Sequence, residues 1–179
     1  MDKDIRQGRA VVLLNEHGQI IEDIDTDQIF HNAHLHITDI AQMGRYAFGN
    51  LEGWKEFPKN CREGDILIAG RNFGAGSSRQ QAVDCFTALN VGAIFAPSFS
   101  AIYFRNAVNS GFPVLKIHDL EALIAGKGIV TDDVIRFDVH SGRAENVTRS
   151  TALKLEPMSP VQHDIFVAGD LFKYGKRIK

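Results

Sequence analysis

Short apolar runs alternate along the chain with stretches whose apolar residues recur at helical spacing. Residues 65–69, Asp65-Ile66-Leu67-Ile68-Ala69, read as a buried strand. Residues 80–89 follow as a helix with Ala82, Val83, Phe86 and Leu89 on one face. The alternation then repeats, with a strand at 93–96 ended by Pro97, a helix over 101–109 closed by Gly111, and a strand at 112–115. This order predicts parallel strands joined by crossover helices, because a tight turn cannot link a parallel pair.

Upstream, residues 8–14 read as a first strand, 15–18 as a turn and 19–21 as a short strand. Thr38-Asp39 would cap a helix over 40–48, with Ile40, Met43, Ala47 and Phe48 at helical spacing, and 49–62 is loop-like. The last third changes character. Residues 121–125 suggest a short helix, and 134–139 with 144–148, linked by His140-Ser141-Gly142-Arg143, a hairpin. Ser159-Pro160 reads as an N-cap and first helical residue, opening a helix toward Phe166, and the basic tail Lys173, Lys176, Arg177, Lys179 as a solvated end.

At 179 residues the chain fits one domain with a real core. A charged fraction of 23% and a formal net charge of −2 lack the basic excess of a nucleic-acid binder. The start, Met1-Asp2-Lys3-Asp4-Ile5-Arg6, has no apolar signal core, and no apolar run approaches a membrane span. The expectation is a cytoplasmic protein with neither nucleic acid nor membrane as partner. The two cysteines, Cys61 and Cys85, are too few and too far apart for a zinc site or an iron–sulfur cluster held by this chain alone, so they read as free thiols.

The segment with most chemistry is Gly70-Arg71-Asn72-Phe73-Gly74-Ala75-Gly76-Ser77-Ser78-Arg79, a glycine loop between strand and helix. A helix N-terminus offers unpaired N–H groups and a partial positive charge, and so favours an anion. The plainer alternative is capping, since Ser77 with Gln80, or Ser78 with Gln81, fits a capping box. Gly74 and Gly76 point further, to backbone at positive φ or close to a ligand. The loop lacks the Lys of a phosphate-gripping loop and has Arg79 where a dinucleotide fingerprint wants glycine. Arg beside paired hydroxyls suits a carboxylate, which a guanidinium can hold through two parallel N–H bonds.

A second unusual segment, Asp23, Asp25, Thr26 and Asp27, departs from calcium-loop spacing. It is either a polar turn or a functional loop that helps position Arg79 or a substrate.

Together these residues carry a resemblance. Asp25-Thr26-Asp27-Gln28-Ile29, then Asn72-Phe73-Gly74-x-Gly76-Ser77-Ser78-Arg79, then Ile102-Tyr103-x-Arg105-Asn106-Ala107-x-Asn109-x-Gly111-Phe112-Pro113-Val114-Leu115 resemble the small subunits of the isopropylmalate isomerase and homoaconitase group. These are equivalent to the mobile swivel domain of aconitase, and the similarity spans residues 20–118. It implies one α/β swivel domain over residues 1–179, with a mostly parallel sheet flanked by helices and a β-rich C-terminal part. It also implies a split hydro-lyase. A [4Fe–4S] cluster on a large-subunit partner binds a small hydroxy-dicarboxylate or tricarboxylate, and the small subunit closes over it, inactive by itself.

Carried over residue by residue, Ser77 is the base that takes the proton beside a carboxylate, Ser78 and Arg79 hold substrate carboxylates, and Thr26 and Asp27 match a Thr-Asp pair facing the same site. A serine hydroxyl is a poor base, and a helix end contributes at most about 2 kcal/mol, roughly one and a half pKa units. Loop N–H donors and exclusion of water must supply more.

Three departures bear on this reading. Gln80-Gln81 stands where the group commonly has Glu-His, and Ala75 replaces another small residue between the glycines. His34-Leu35-His36-Ile37 aligns with a Tyr-Leu-x-x element whose third residue reads the variable end of the substrate, so His36 takes that place. Neutral imidazole suits an alkyl group and protonated imidazole a carboxylate. The plainer alternative for His31, His34 and His36 is an exposed polar loop.

The expected function is a hydro-lyase small subunit, first of the isopropylmalate type in leucine biosynthesis, second of the homoaconitase or another malate type. The alternative of another class is a stand-alone small-anion-binding module.

Overall fold

A computed structural model describes residues 4–178, so residues 1–3 of the charged N-terminus and Lys179 of the basic tail lie outside the described residues. The strands are β1 (Ile5–Val12), β2 (Ile66–Ile68), β3 (Ala93–Ala96), β4 (Val114–Lys116), β5 (Val134–Asp138), β6 (Arg143–Asn146) and β7 (Thr151–Lys154). The α-helices are α1 (Thr26–Ile29), α2 (Ile40–Met43), α3 (Phe57–Asn60), α4 (Gln81–Ala88), α5 (Ala101–Asn109), α6 (Leu120–Ala125), α7 (Pro160–Ala168) and α8 (Leu171–Arg177).

The strands form one sheet in the order β4-β3-β2-β1-β5-β6-β7. From β4 to β1 every pairing is parallel, as the crossover pattern expects, with Ala10 opposite Ile66 and Ile66 opposite Ala93. From β1 onward to β7 every pairing is antiparallel, which is the β-rich C-terminal part. Just past β4 and β7 an isolated bridge joins Ile117 to Leu155, with His118 N–H donating to the Lys154 carbonyl at 2.9 Å. The sheet therefore curls until its two edges touch.

Successive strand side chains point to opposite faces, and here both faces are covered. Ala10, Val12, Ile66, Ile68, Ala93 and Phe95 enter one apolar cluster, inside the curl, with Ile135, Phe137 and Leu153. Val11, Leu13, Leu67, Ala69, Ile94 and Ala96 enter the other, with Val83 and Phe86 of α4 and Tyr103 of α5. This double burial is why the central strands read as continuous apolar runs. Among the described residues no helix is long and apolar enough to cross a membrane.

Several elements depart from the sequence expectation. The helix expected over 40–48 ends at Met43 and tightens into a 3₁₀ turn over Gly44–Tyr46. Phe48 takes a left-handed φ of 57°, fixed by full burial and by its N–H donating to the Ile29 carbonyl at 2.8 Å. A helical turn, α3, interrupts the loop-like stretch, and β7 has only Leu153 buried, so pairing with β6 rather than its own pattern makes it a strand. The basic tail is helical through Arg177, because Asp170 caps α8 by accepting the Lys173 N–H at 2.7 Å.

Candidate active site

The acidic segment and the glycine loop lie side by side. Asp23 N–H donates to the Arg71 carbonyl (2.9 Å), Gly74 N–H to Ile24 (2.8 Å) and Thr26 N–H to Ala75 (2.8 Å). On the loop's other side, Phe73 N–H donates to the Ser98 carbonyl (3.1 Å) and Ser100 N–H to Phe73 (2.9 Å). A loop gripped on both sides has little freedom, and Asn72, Gly74 and Gly76 all sit at positive φ, 56°, 80° and 89°. Both glycines thus adopt the backbone that glycine allows at least cost.

The three carboxylates serve separate partners. Asp23 accepts from Asn72 Nδ2 at 2.8 Å. Asp25 caps α1 in a full capping box with Gln28, its carboxylate accepting the Gln28 N–H at 2.7 Å. Asp27 accepts from Arg79 Nη1 at 2.6 Å, from the Asn32 N–H at 3.0 Å and from Asn50 Nδ2 at 3.0 Å. The Arg79 hydrogen bond holds the Asp27 carboxyl below its usual range despite partial desolvation, and the Asn32 N–H adds to that effect.

Thr26 is buried, 3% exposed, and its hydroxyl donates to the Ser77 carbonyl at 3.0 Å. It grips the backbone of the serine loop. Ser77 and Ser78 themselves are exposed. Neither caps the following helix, since α4 starts at Gln81 and its N-cap, Gln80, makes no side-chain cap bond. Among the described residues the Ser77 hydroxyl makes no hydrogen bond, and the N–H groups of Gly76, Ser77 and Ser78 donate to no acceptor. The Ser78 hydroxyl accepts from Asn106 Nδ2 at 3.3 Å.

Arg79 is largely buried, its side chain 14% exposed, and Nη1 also donates to the Phe30 carbonyl at 3.0 Å. Its Nε and Nη2 make no hydrogen bond among the described residues, so they can serve a second oxyanion. Exposed N–H donors, a free hydroxyl and a fixed guanidinium together can receive a small carboxylate beside a proton acceptor.

The glutamines have structural partners. Gln80 Nε2 donates to Asp84 Oδ1 (2.9 Å) and Ser110 Oγ (2.7 Å), and Gln81 Nε2 to the Leu35 carbonyl (3.4 Å). The histidine loop is only partly a free polar loop. His31 Nδ1 accepts the Ala33 N–H at 3.1 Å, and His34 stacks on Tyr46 with centroids 4.1 Å apart. Burial lowers the His34 pKa, with His31, His36 and Arg45 nearby adding to the shift. His36 is exposed. Asn50 and Asn106 join the candidate site through Asp27 and Ser78; Asn106 lies inside the motif over residues 102–115, while no local pattern marks Asn50.

The chain's own thiols do not fit an iron–sulfur cluster. Both cysteines are free; Cys85 is fully buried in the core, where burial pushes its thiol up, and Cys61 is pushed up to about 12 by burial and by Asp65. More decisively, there are only two thiols, and among the described residues neither joins a group of converging His, Cys or carboxylate side chains, whereas a cluster is held by several thiolates at one centre.

The Asp27–Arg79 pair gives a pH prediction. A depressed folded pKa means that its contribution is full above the ordinary carboxylate range and is lost as pH falls through the depressed value. Asp27→Asn is expected to cost about 1 kcal/mol near neutral pH in urea unfolding, narrowing as the solution is acidified. A difference independent of pH would assign the loss to packing instead.

A family model described as the aconitase C-terminal domain matches residues 20–120. The chain is 35% identical over 155 residues to the 3-isopropylmalate dehydratase small subunit of Caldicellulosiruptor saccharolyticus, covering 87% of this chain and 86% of that one. It is 35% identical over 153 residues to the protein of the same name from Caldanaerobacter subterraneus, covering 86% and 91%. The crystal structure of 3-isopropylmalate dehydratase (LeuD) from Methanocaldococcus jannaschii superposes with a TM-score of 0.83 at 29% identity, over 97% of this chain and 95% of that one.

Proposed function

Since this chain belongs to the aconitase C-terminal domain family, we propose that it is the small subunit of a 3-isopropylmalate dehydratase, a hydro-lyase of leucine biosynthesis. The small-subunit relatives imply a large-subunit partner. With only two thiols in this chain and neither in a ligand cluster among the described residues, the [4Fe–4S] cluster of such an enzyme belongs on that partner. The reaction takes place in the cytoplasm on a small hydroxy-dicarboxylate.

The observation that carries this reading is the open serine loop. The exposed Ser77 hydroxyl, engaged by none of the described residues, shares one short loop with unpaired N–H groups and with Arg79, whose Nε and Nη2 are also unengaged among them. That is half a site. When the partner closes over it, exclusion of water strengthens every N–H donor around Ser77, which lowers the cost of holding the serine oxygen as a base. Ser77 then takes the proton from the carbon beside a substrate carboxylate and returns it during rehydration. Arg79 and Ser78 hold the carboxylates, Asp27 orients Arg79, and Thr26 holds the Ser77 backbone at the right place.

The isolated chain is expected to show no turnover of 3-isopropylmalate and to become active on mixing with an iron–sulfur large subunit. Activity of the metal-free chain alone would overturn this. Tight binding of the dicarboxylate to the chain alone, with no activation on mixing, would favour an anion-binding module instead.

His36, exposed at the edge of the histidine loop, borders the variable end of the substrate in this reading. His36→Arg is expected to shift relative kcat/KM toward substrates with an extra carboxylate by about tenfold, about 1.4 kcal/mol. An unchanged preference would remove His36 from the site.

A further inference from the structure

Asp4, His140 and His163 come together from three distant parts of the chain. Asp4 immediately precedes β1, His140 lies in the turn after β5, and His163 lies in the first turns of α7. Two backbone bonds through one residue collect them. Val139 N–H donates to the Asp4 carbonyl at 3.0 Å, and the Val139 carbonyl accepts the Met158 N–H at 3.0 Å, just before α7. Asp138 then fixes the turn carrying His140, its Oδ1 accepting the N–H of His140 at 2.8 Å and of Ser141 at 3.1 Å.

The side chains converge accordingly. His163 Nε2 lies 2.8 Å from Asp4 Oδ1, and the two imidazole rings have centroids 5.1 Å apart at 61°. One donor atom from each of the three residues lies within 4.8 Å of the others. The serine loop uses none of these groups.

The geometry points to a binding site for a divalent transition-metal ion, zinc by its donor set, formed by Asp4, His140 and His163 on the antiparallel side of the fold. Two imidazole nitrogens and one carboxylate oxygen are zinc donors, with bonds of about 2.0–2.2 Å, so neighbouring donors stand roughly 3 Å apart. His163 Nε2 and Asp4 Oδ1 already have that separation. The ion takes the place of the hydrogen bond between His163 Nε2 and Asp4 Oδ1. His140 is exposed on a turn, so its ring can rotate the remaining distance. Magnesium and calcium, which prefer oxygen donors throughout, are excluded by the two imidazoles. Bound zinc ties the start of β1 to α7 and the β5–β6 turn, a clip between segments far apart in the chain.

Calorimetric titration of the tag-free full chain with zinc chloride near neutral pH tests this, with magnesium chloride as control. The expected result is one equivalent of zinc, no magnesium, and affinity lowered at least about tenfold by His140→Ala and by His163→Ala. A hundredfold excess of zinc over the parent's Kd should raise the thermal midpoint by about 5 °C in the parent chain and, at the same zinc concentration, by no more than about half as much in His140→Ala. His140 is exposed and outside the Asp4–His163 contact, so that variant keeps its fold even if His163→Ala does not. Zinc binding unchanged by His140→Ala, abolished instead by Cys61→Ser or His31→Ala, or absent altogether overturns the proposal.

Discussion

Ser77→Ala is expected to lower kcat of the reconstituted complex by about 10³-fold or more, about 4 kcal/mol of barrier, the scale of losing a general base. KM should change little, because the carboxylate contacts assigned to Arg79 and Ser78 remain. Folding should also be nearly unaffected. The Ser77 side chain is exposed and makes no hydrogen bond among the described residues, and it is the Ser77 backbone carbonyl, retained in alanine, that accepts from Thr26. Ser78→Ala is the informative control, since removing a substrate contact should raise KM more than it lowers kcat. Survival of activity within about threefold of the parent, well under 1 kcal/mol, would mean that the base is another group.

Gly74→Ala is expected to cost about 3–5 kcal/mol in urea unfolding and, with the loop displaced, to abolish activity as well. Two independent penalties add. At φ 80° a side chain is strained by about 1–2 kcal/mol, and a Cβ there would overlap Cγ and Cβ of Tyr103. Tyr103 cannot move aside cheaply, being 1% exposed, packed edge-on against Phe73 at 5.2 Å, with its hydroxyl donating to the Ala82 carbonyl at 3.3 Å. Gly76→Ala separates the penalties. Its φ of 89° is equally unfavourable, but the new Cβ would only touch Thr26 Oγ1 at 3.6 Å, so the loss should be about 1–2 kcal/mol. Equal losses for the two substitutions would show that Tyr103 yields and that backbone strain alone sets the cost.

These two glycines show how far the sequence could be read. Gly74 and Gly76 ahead of paired serines pointed to backbone at positive φ or close to a ligand, and the structure gives positive φ at both. The parallel crossover half was likewise legible, because strands buried on both faces appear as unbroken apolar runs such as Ile66-Leu67-Ile68. The motif pairing of Asp25-Thr26-Asp27 with Ser77-Ser78-Arg79 also pointed to the family that the relatives share.

Other features were hidden for identifiable reasons. Ser77 with Gln80 has the spacing of a capping box, yet among the described residues the box at the site is Asp25 with Gln28; the serine loop is held by β-like bonds to the acidic segment and α4 begins only at Gln81, without a side-chain cap. Thr26 is named by the motif, but its burial and its bond to the Ser77 carbonyl appear only when residues 51 positions apart meet. β7 carries too little alternation to be read alone and exists because β6 offers it an edge. Asp4, His140 and His163 have no shared motif at all.

The sequence by itself determined the order of strands and crossover helices along the chain and the glycine positions, and it named the candidate residues for the chemistry, because these rest on local spacing and backbone sterics. Only the tertiary structure decided that Asp27 holds Arg79, that Ser77 is left exposed and unengaged among the described residues, and that Asp4, before β1, meets His163 of α7. Those facts depend on contacts between segments far apart in the chain, made when the two sheet faces bury their apolar side chains and the sheet edges close, and no local pattern encodes them.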